Sequence, residues 1–405
     1  MLDDSLLDDP AALQRADRDH ALLALAGSGA RVRTALRLAD AAGLARLQPD
    51  GRPRAVLVAG HGSALTAGEA LAALAGTATL VQPLPAADSR PAGGSSAFST
   101  GLIWQLPGWV GPLDLLVIAS ADGYEQGLIA LAQQGYARGC AIAVICPEDR
   151  PLAEAALQVR GLPLPYVPSA TEEPAEAPEP DLPAEDPGAL WAFLTPLLAL
   201  AARIGVVPLA DRALEQAADL LDELAVRHRP DAAAYLNPAK GLAARLSGTV
   251  PLLWSEGPIA AVAAARFAAM LADRAGLPAL TGRLPQALTA HRGMFAGRLG
   301  GGADPDDFFR DRVDEPDPFT LQVLLLRHVP LEEAADQEQL PPEAVPEPAS
   351  ATPSVRRAHR LAANHDVRLT EYTGIRQEPL EALVELVVLT DFAAVYLGLA
   401  ADPGH

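Results

Sequence analysis

Residues 52–74 read RPRAVLVAGHGSALTAGEALAAL. The aliphatic run at residues 56–58 predicts a buried strand, and Gly60 and Gly62 let the backbone after it turn closely. The alanine-rich stretch that follows predicts a helix, whose first backbone N–H groups point back at the loop. Because α/β proteins build anion sites from a strand, a glycine loop and a helix in this order, we predict that a small, oxygen-rich ligand binds here.

The composition indicates a globular protein that avoids anionic polymers. The chain has 405 residues, half of them apolar, which is enough for about two domains with cores of their own. Its 31 basic and 51 acidic residues give a net charge of −20, which repels nucleic-acid phosphates and anionic lipid. We therefore expect no nucleic-acid partner and no membrane partner. The first thirty residues lack a basic segment followed by an apolar one, so we expect no secretory signal and a cytoplasmic location.

Two apolar segments approach membrane length, at residues 190–208 and 383–401. Arg203 interrupts the first, and Glu385 and Asp391 interrupt the second. Because charges at mid-span are costly in lipid, we predict that both segments are buried helices of a soluble core.

The residue pattern indicates neither a metal site nor a disulfide. Cys140 and Cys146 flank one predicted strand, and a disulfide within a single strand has poor geometry, so we expect reduced core cysteines. His228 stands between two arginines at a predicted helix end, which favours a capping role over metal ligation. No cluster of His, Cys and carboxylate residues has metal-site spacing, so we expect no metal.

The glycine loop also invites comparison with a dinucleotide site. Gly60 and Gly62 match the first two glycines of the GxGxxG pattern, but Leu65 stands at the third. Gln82 and Pro83 stand where an acid at the end of the second strand would bind the ribose. We therefore expect no nicotinamide cofactor, and no cofactor of another kind.

Strands and helices alternate along the chain, which indicates an α/β fold with parallel sheets covered on both faces. A strand at residues 250–254 leads through a short loop into a helix at 259–275 and so repeats the pattern of the first half. We predict two doubly wound parallel-sheet domains in one chain. The predicted parts are a helical arm at 1–48, a first domain at 49–168, an acidic, proline-rich linker at 169–187, and a second domain at 188–405 with a disordered loop at 331–353.

A second polar loop follows the predicted strand at residues 113–119. It contains Ser120, Asp122, Gly123 and Glu125 and precedes a predicted helix. Because loops at the carboxyl ends of neighbouring parallel strands line one crevice, we expect this loop and the glycine loop to face one ligand.

Four segments together resemble a known family. They are GHGSA at residues 60–64, FAAMLADRAGLPA at 267–279, LPQA at 284–287 and DFAAVYL at 391–397. In this order they are similar to segments of the sugar isomerase (SIS) domain proteins, and among these to the bifunctional phosphoglucose/phosphomannose isomerases. The resemblance implies two SIS-type domains, a homodimer, a small sugar or sugar phosphate as ligand, and aldose–ketose isomerisation between mannose 6-phosphate or glucose 6-phosphate and fructose 6-phosphate.

The resemblance also implies roles for individual residues. Asp273 aligns with the family's proton-transfer base, and His291 is the nearest candidate for the residue that assists ring opening. The implied substrate-binding residues are Gly60, His61, Gly62, Ser63, Ser120, Asp122, Gly123 and Glu125. Asp273 is equally consistent with a solvated ion pair to its neighbour Arg274, and His61 with a turn histidine that bonds only to backbone.

Three departures from the family keep a second interpretation open. Asp122 and Glu125 stand where the family's phosphate loop has Ser and Thr, and a carboxylate repels a phosphate dianion. Asp273 is shorter than the family's Glu, and the family's catalytic Lys after the DFAAVYL segment has no counterpart. The alternative is a catalytically inactive SIS-fold protein that binds a carbohydrate derivative or regulates. The carboxylates would then favour an amino-bearing sugar.

Overall fold

The computed structural model describes residues 4–48, 51–89, 101–169, 185–297, 319–329 and 351–401. The chain forms two compact units. We call Asp19–Glu223 the first unit, and Met1–Arg18 together with Leu224–His405 the second unit.

The units divide the chain at positions other than the predicted domain boundaries at 48, 168 and 187. The helical arm is split, because the buried ammonium of Lys240 donates a hydrogen bond to the carbonyl of Leu7 at 2.6 Å and so ties the N-terminal helices to the second unit. The helices after the predicted linker begin in the first unit, where Arg33 forms ion pairs with Asp219 and Asp222. Most of the predicted linker and of the predicted 331–353 loop lies outside the described residues.

The first unit is built on a five-stranded parallel sheet. The described part of this unit has seven strands, β1 Ala55–Ala59, β2 Leu80–Leu84, β3 Asp88–Ser89, β4 Leu102–Ile103, β5 Leu115–Ala119, β6 Ala141–Cys146 and β7 Leu162–Pro165, of which five form the sheet. The sheet has the order β2-β1-β5-β6-β7, and β3 and β4 form a separate antiparallel pair. Every residue of β1 and β5 is buried, as continuous aliphatic runs in a covered parallel sheet require.

Helices cover both faces of this sheet. The helices of the first unit are α3 Ala21–Ala26, α4 Ser28–Ala41, α5 Ser63–Ala75, α6 Gln126–Ala137, α7 Pro151–Gln158, α8 Ala189–Arg203 and α9 Ala213–Arg227, which runs into the second unit. Leu128 of α6 and Leu152 of α7 pack with Leu116 on one face. On the other face Gly68 lets α5 approach β1, since a Cβ at this position would lie 2.9 Å from that of Val58.

The second unit is built on a four-stranded parallel sheet. Its strands are β8 Thr249–Glu256, β9 Leu280–Arg283, β10 Thr320–His328 and β11 Arg368–Gly374, in the order β11-β10-β8-β9. Its helices are α1 Asp4–Leu7, α2 Pro10–Ala16, α10 Pro238–Leu246, α11 Pro258–Ala275, α12 Ala287–Ala290, α13 Arg292–Phe295, α14 Pro353–Asn364 and α15 Pro379–Leu399. Pro258 starts α11 and Gly276, with φ at 60°, ends it, which are the positions that favour these residues.

The two sheets share one strand order. Numbered along the chain within each sheet, the strands of the first sheet run 2-1-3-4-5 and those of the second run 2-1-3-4. Each order reverses beside its first strand, between β1 and β5 and between β8 and β10, so each unit has a topological switch point. The prediction of two doubly wound parallel-sheet domains is confirmed.

The apolar segments and the cysteines lie in the protein interior. In the described part of the chain one helix, α15, is long and apolar enough to cross a membrane, and 78% of its apolar window is buried inside the protein. Cys140 and Cys146 are free and buried, and burial raises the pKa of the Cys146 thiol to about 12. Among the described residues no group of His, Cys, Asp and Glu could hold a metal ion.

Candidate functional site

The two predicted loops of the first unit lie side by side at the carboxyl edge of its sheet. Strands β1 and β5 are hydrogen-bonded neighbours, with Ala59 opposite Ile118. The loops that follow them meet at the switch point, where open α/β sheets bind ligands. Contact between the loops is close, because a Cβ on Gly60 would lie 2.9 Å from the carbonyl oxygen of Ala119.

The glycine loop already holds an anion of the protein's own. The backbone N–H of Ser63, the first residue of α5, donates a hydrogen bond to Oε1 of Glu185 at 2.6 Å. Gly62 has φ at 54°, and a Cβ there would lie 2.6 Å from the same oxygen, so only glycine leaves room for the carboxylate. A negative charge at this position is favourable, because the first N–H groups of a helix are unpaired and its dipole is positive there.

The second loop is likewise filled by a carboxylate. Oδ1 of Asp122 accepts hydrogen bonds from the Ser120 hydroxyl and from the backbone N–H of Tyr124, both at 2.9 Å. The Ser120 hydroxyl in turn accepts a hydrogen bond from the backbone N–H of Gly123 at 3.0 Å. The hydroxyl and N–H groups that a phosphate would use in such a loop therefore bind Asp122.

The remaining predicted residues of this edge have different environments. Glu125 is the N-cap residue of α6 and is buried. His61 is exposed, and the structure records no hydrogen bond between its ring and any described residue. A positive charge is present at Arg150, which stacks 4.9 Å from the centre of the Tyr124 ring and donates a hydrogen bond to its hydroxyl. The edge thus combines three carboxylates, of Asp122, Glu125 and Glu185, with one stacked guanidinium.

Asp273 and His291 lie in the second unit, and the structure does not bring them together. Asp273 is exposed near the end of α11 and forms an ion pair with Arg274 at 2.8 Å. It lies 15 residues after Pro258, which is about 22 Å along the helix from the carboxyl end of β8. Nδ1 of His291 accepts a hydrogen bond from Trp254 of β8 at 2.9 Å, and burial lowers the pKa of His291.

The structure reveals an ion-pair network that the sequence analysis missed, at the carboxyl edge of the second sheet. Arg327 of β10 is 1% exposed and lies between Oε2 of Glu256 at 2.7 Å and Oε1 of Glu371 at 2.6 Å. Burial alone would raise the pKa of Glu371, but the bonds from Arg327, His359 and Thr373 lower it. The network joins the ends of β8 and β10 to the middle of β11. The signal available in the sequence was an acid, Glu256, and a base, Arg327, each near the end of a buried strand.

Comparison with known protein families finds a match within the second unit. Residues 236–403 match the family model of the bacterial phospho-glucose isomerase C-terminal SIS domain. No curated protein sequence matches the chain.

Several solved structures share the fold over nearly the whole chain. A hypothetical protein from Thermus thermophilus has 14% identity and a TM-score of 0.58, covering 99% of this chain and 92% of its own. A proposed phosphosugar isomerase from Clostridium difficile 630 has 11% identity and a TM-score of 0.54, covering 92% and 90%. Glucosamine-6-phosphate deaminase from Thermotoga maritima has 9% identity and a TM-score of 0.53, covering 93% of both chains. At these identities the likeness shows the fold. With the family match, it confirms the predicted resemblance to SIS-domain phosphosugar isomerases.

Proposed function

We propose that this chain, whose residues 236–403 match an SIS domain of the phosphoglucose isomerase type, binds a carbohydrate derivative and does not isomerise it. The ligand is held at the carboxyl edge of the first sheet, between the loops that follow β1 and β5. Its hydroxyl or amino groups donate hydrogen bonds to protein carboxylates.

One observation carries this proposal: in both loops, carboxylates of the protein accept the hydrogen bonds that a bound phosphate would need. Glu185 takes the N–H group at the start of α5, and Asp122 takes the Ser120 hydroxyl and the Tyr124 N–H. A phosphate oxygen would have to displace these carboxylates and then remain beside them. At about 4 Å and an effective dielectric of about 20, each pair of like charges repels by about 4 kcal/mol before solvent screening.

The same carboxylates suit a ligand that donates hydrogen bonds. An ionised carboxylate only accepts hydrogen bonds and has about four lone-pair sites, whereas sugar hydroxyls and ammonium groups donate. Asp122 is exposed, so its remaining lone pairs face solvent. An amino sugar adds a positive charge to this interaction, and charge-assisted hydrogen bonds are roughly twice as strong as neutral ones.

The groups that isomerisation requires support a binding function rather than catalysis. Aldose–ketose isomerisation needs a base near C1 and C2 and a cation for the enediolate. Asp273 is engaged by Arg274. Lys240, the only lysine in the sequence, is 1% exposed and donates to the carbonyls of Leu7, Pro230 and Ala232 at 2.6–2.8 Å.

A second candidate is the isomerase activity itself, which the family match of residues 236–403 favours. In this case Asp273 would transfer the proton between C1 and C2, and His291 would assist ring opening. The substrate would be mannose 6-phosphate or glucose 6-phosphate, with fructose 6-phosphate as product.

Incubation in heavy water separates the two functions. Purified protein is mixed with mannose 6-phosphate or glucose 6-phosphate, and exchange of the C2 proton is followed by NMR. The binding function predicts no exchange, together with thermal stabilisation by amino sugars or neutral sugars. Exchange that the Asp273→Asn variant abolishes would replace our proposal by the second candidate. If no sugar stabilises the protein against heat, both candidate functions are refuted. A homodimer and a cytoplasmic location stay predictions.

A further inference from the structure

Arg31 of α4 is the centre of a buried polar cluster in the first unit. Its side chain is 7% exposed, and that of its ion-pair partner Asp186 is 6% exposed. Nη2 and Nε of Arg31 donate hydrogen bonds to the carbonyl oxygen of Val167 at 2.7 and 3.2 Å. The guanidinium also lies 5.9 Å from the centre of the Tyr166 ring and donates to its hydroxyl at 3.3 Å. We call the ion pair of Arg31 and Asp186 the clamp.

The clamp fixes the backbone directly before α8. Oδ1 of Asp186 accepts a hydrogen bond from the backbone N–H of Gly188 at 2.9 Å, and its other carboxylate oxygen binds Arg31. Gly188 leaves room for this contact, since a Cβ there would lie 2.8 Å from Nη1 of Arg31 and 2.9 Å from the carbonyl oxygen of Ala24. The carboxylate is held in one position, because breaking either contact would leave a buried polar group without its partner.

Glu185 is the residue before Asp186, so the clamp determines where the Glu185 carboxylate lies. The Cα atoms of the two residues are about 3.8 Å apart, the separation across one trans peptide bond. Glu185 is half-buried, and its Oε1 accepts the backbone N–H of Ser63 at 2.6 Å. A glutamate on an unfixed segment would lose backbone and side-chain freedom on reaching this N–H. The clamp removes part of that loss in advance.

We infer that Arg31 is a positioning residue, which through Asp186 holds the Glu185 carboxylate at the start of α5 and so makes the first unit select against phosphorylated ligands. The clamp acts only through Glu185 and touches no ligand itself. That the ligands concerned are carbohydrate derivatives rests on the proposed function. The contact between Glu185 and Ser63 does not rest on it, and it can be measured without a ligand.

The amide signal of Ser63 reports whether Glu185 is in place. The full chain is labelled with ¹⁵N-serine, and the signal missing from the ¹H–¹⁵N spectrum of Ser63→Ala is that of Ser63. Arg31→Met with Asp186→Asn, the clamp variant, leaves neither charge behind and keeps an acceptor for the Gly188 N–H. We expect the Ser63 signal to move part of the way to its position in Glu185→Ala. An unchanged signal in the clamp variant would overturn the inference.

Asp186→Asn alone makes the same test with a smaller change. It exchanges one oxygen of the clamp for an amide nitrogen, so it replaces the clamp variant if that protein does not fold. We expect the Ser63 signal to move in the same direction, and an unchanged signal would again overturn the inference.

A positioning role and a purely structural role differ once Glu185 is absent. In the Glu185→Ala background, the clamp variant should leave the Ser63 signal where Glu185→Ala alone places it, because no carboxylate is left to position. A further movement as large as that in the unsubstituted background would show that the clamp acts on α5 by another route. That result would overturn the inference.

The buried ion pair of Arg266 and Asp391 in the second unit provides a matched control. Both side chains are buried, and the pair is 2.8 Å apart. Arg266→Met with Asp391→Asn removes an equivalent ion pair and should leave the Ser63 signal unchanged. Movement of the signal in this control would show that the loss of any buried pair disturbs the loop, which would refute a specific role for Arg31.

Calorimetric titration with fructose 6-phosphate and fructose tests the consequence for selectivity. Glu185→Ala removes the carboxylate and sets the largest possible gain. In the clamp variant Glu185 still reaches Ser63 for part of the time, so we expect a Kd for fructose 6-phosphate about threefold lower, and no change for fructose.

The outcomes separate this inference from the proposed function. A gain in Glu185→Ala without one in the clamp variant would refute the inference while the proposed function stands. Tighter binding of fructose 6-phosphate than of fructose by the unsubstituted chain would refute the proposed function, and the Ser63 signal would still decide the role of the clamp.

Discussion

Replacing Glu185 by alanine should convert the start of α5 into a phosphate site. The Glu185 carboxylate accepts the Ser63 N–H at 2.6 Å and fills the space above Gly62. Without it, the N–H groups of a 13-residue helix face an open position, which is the arrangement that favours anions. We therefore expect Glu185→Ala to bind fructose 6-phosphate more tightly than the unsubstituted chain does.

The structure gives the size of the expected effect. A carboxylate and one phosphate charge at about 4 Å repel by about 4 kcal/mol at an effective dielectric of about 20. Glu185 is half-buried, so solvent screens part of this repulsion, and we take about a third of it, about 1.4 kcal/mol, as observable. That corresponds to about a tenfold lower Kd.

Calorimetric titration of fructose 6-phosphate and fructose into the unsubstituted chain and its variants measures this effect. Glu185→Gln keeps the size and the acceptor of the side chain and should gain less than Glu185→Ala. Glu154→Gln removes an exposed glutamate in the first turn of α7 and should change nothing. Asp122→Ser with Glu125→Thr restores hydroxyls in the second loop and should also strengthen phosphate binding.

Unchanged affinity of Glu185→Ala for fructose 6-phosphate, in a folded protein, would refute this reasoning. A gain for fructose equal to that for its phosphate would also refute it, since removal of a charge should not affect the neutral sugar. The glycine loop would then not be the anion site of this fold.

Three further predictions concern stability, measured by urea unfolding. Burial lowers the pKa of His228 to about 4, so the folded protein holds this ring neutral. The free energy of unfolding should therefore be highest above the unfolded pKa of about 6.5 and fall by up to about 3 kcal/mol as the pH drops to 4. His228→Gln should remove this pH dependence. Arg266 and Asp391 form a buried ion pair at 2.8 Å. Asp391→Leu leaves the arginine charge unpaired and should lower the free energy of unfolding by about 3–5 kcal/mol, and the double variant with Arg266→Met should regain most of this loss. Gly60→Ala places a Cβ 2.9 Å from a carbonyl oxygen and should lower the free energy of unfolding by about 1–3 kcal/mol. At Gly108 a Cβ meets no atom within 4 Å, so Gly108→Ala should change the free energy of unfolding by no more than about 0.5 kcal/mol.

The sequence predicted the parts of the fold that depend on local pattern. The buried strands β1, β5 and β6 and the helix α5 are where their aliphatic runs and glycines indicated, and the strand–loop–helix repeat revealed the second sheet. The short edge strands β7 and β9 were missed. One contains two prolines and the other is mostly exposed, so neither has the pattern of a buried strand.

The site was predictable only where its contacts are local. Asp122 lies two residues from its partner Ser120, and its departure from the family's loop was visible in the sequence. Glu185 lies 122 residues from Ser63, and Trp254 lies 37 residues from His291. No periodicity or motif reports such pairings, because they form only when separate loops meet at the edge of a sheet.

The most direct test of the account is a calorimetric comparison of D-glucosamine with D-glucosamine 6-phosphate on the unsubstituted protein. The two ligands share the ammonium and hydroxyl donors and differ in the phosphate, which Glu185 and Asp122 should repel. The account predicts tighter binding of the unphosphorylated sugar, and a reversal of this preference in Glu185→Ala combined with Asp122→Ser. Tighter binding of the phosphate by the unsubstituted protein would contradict it.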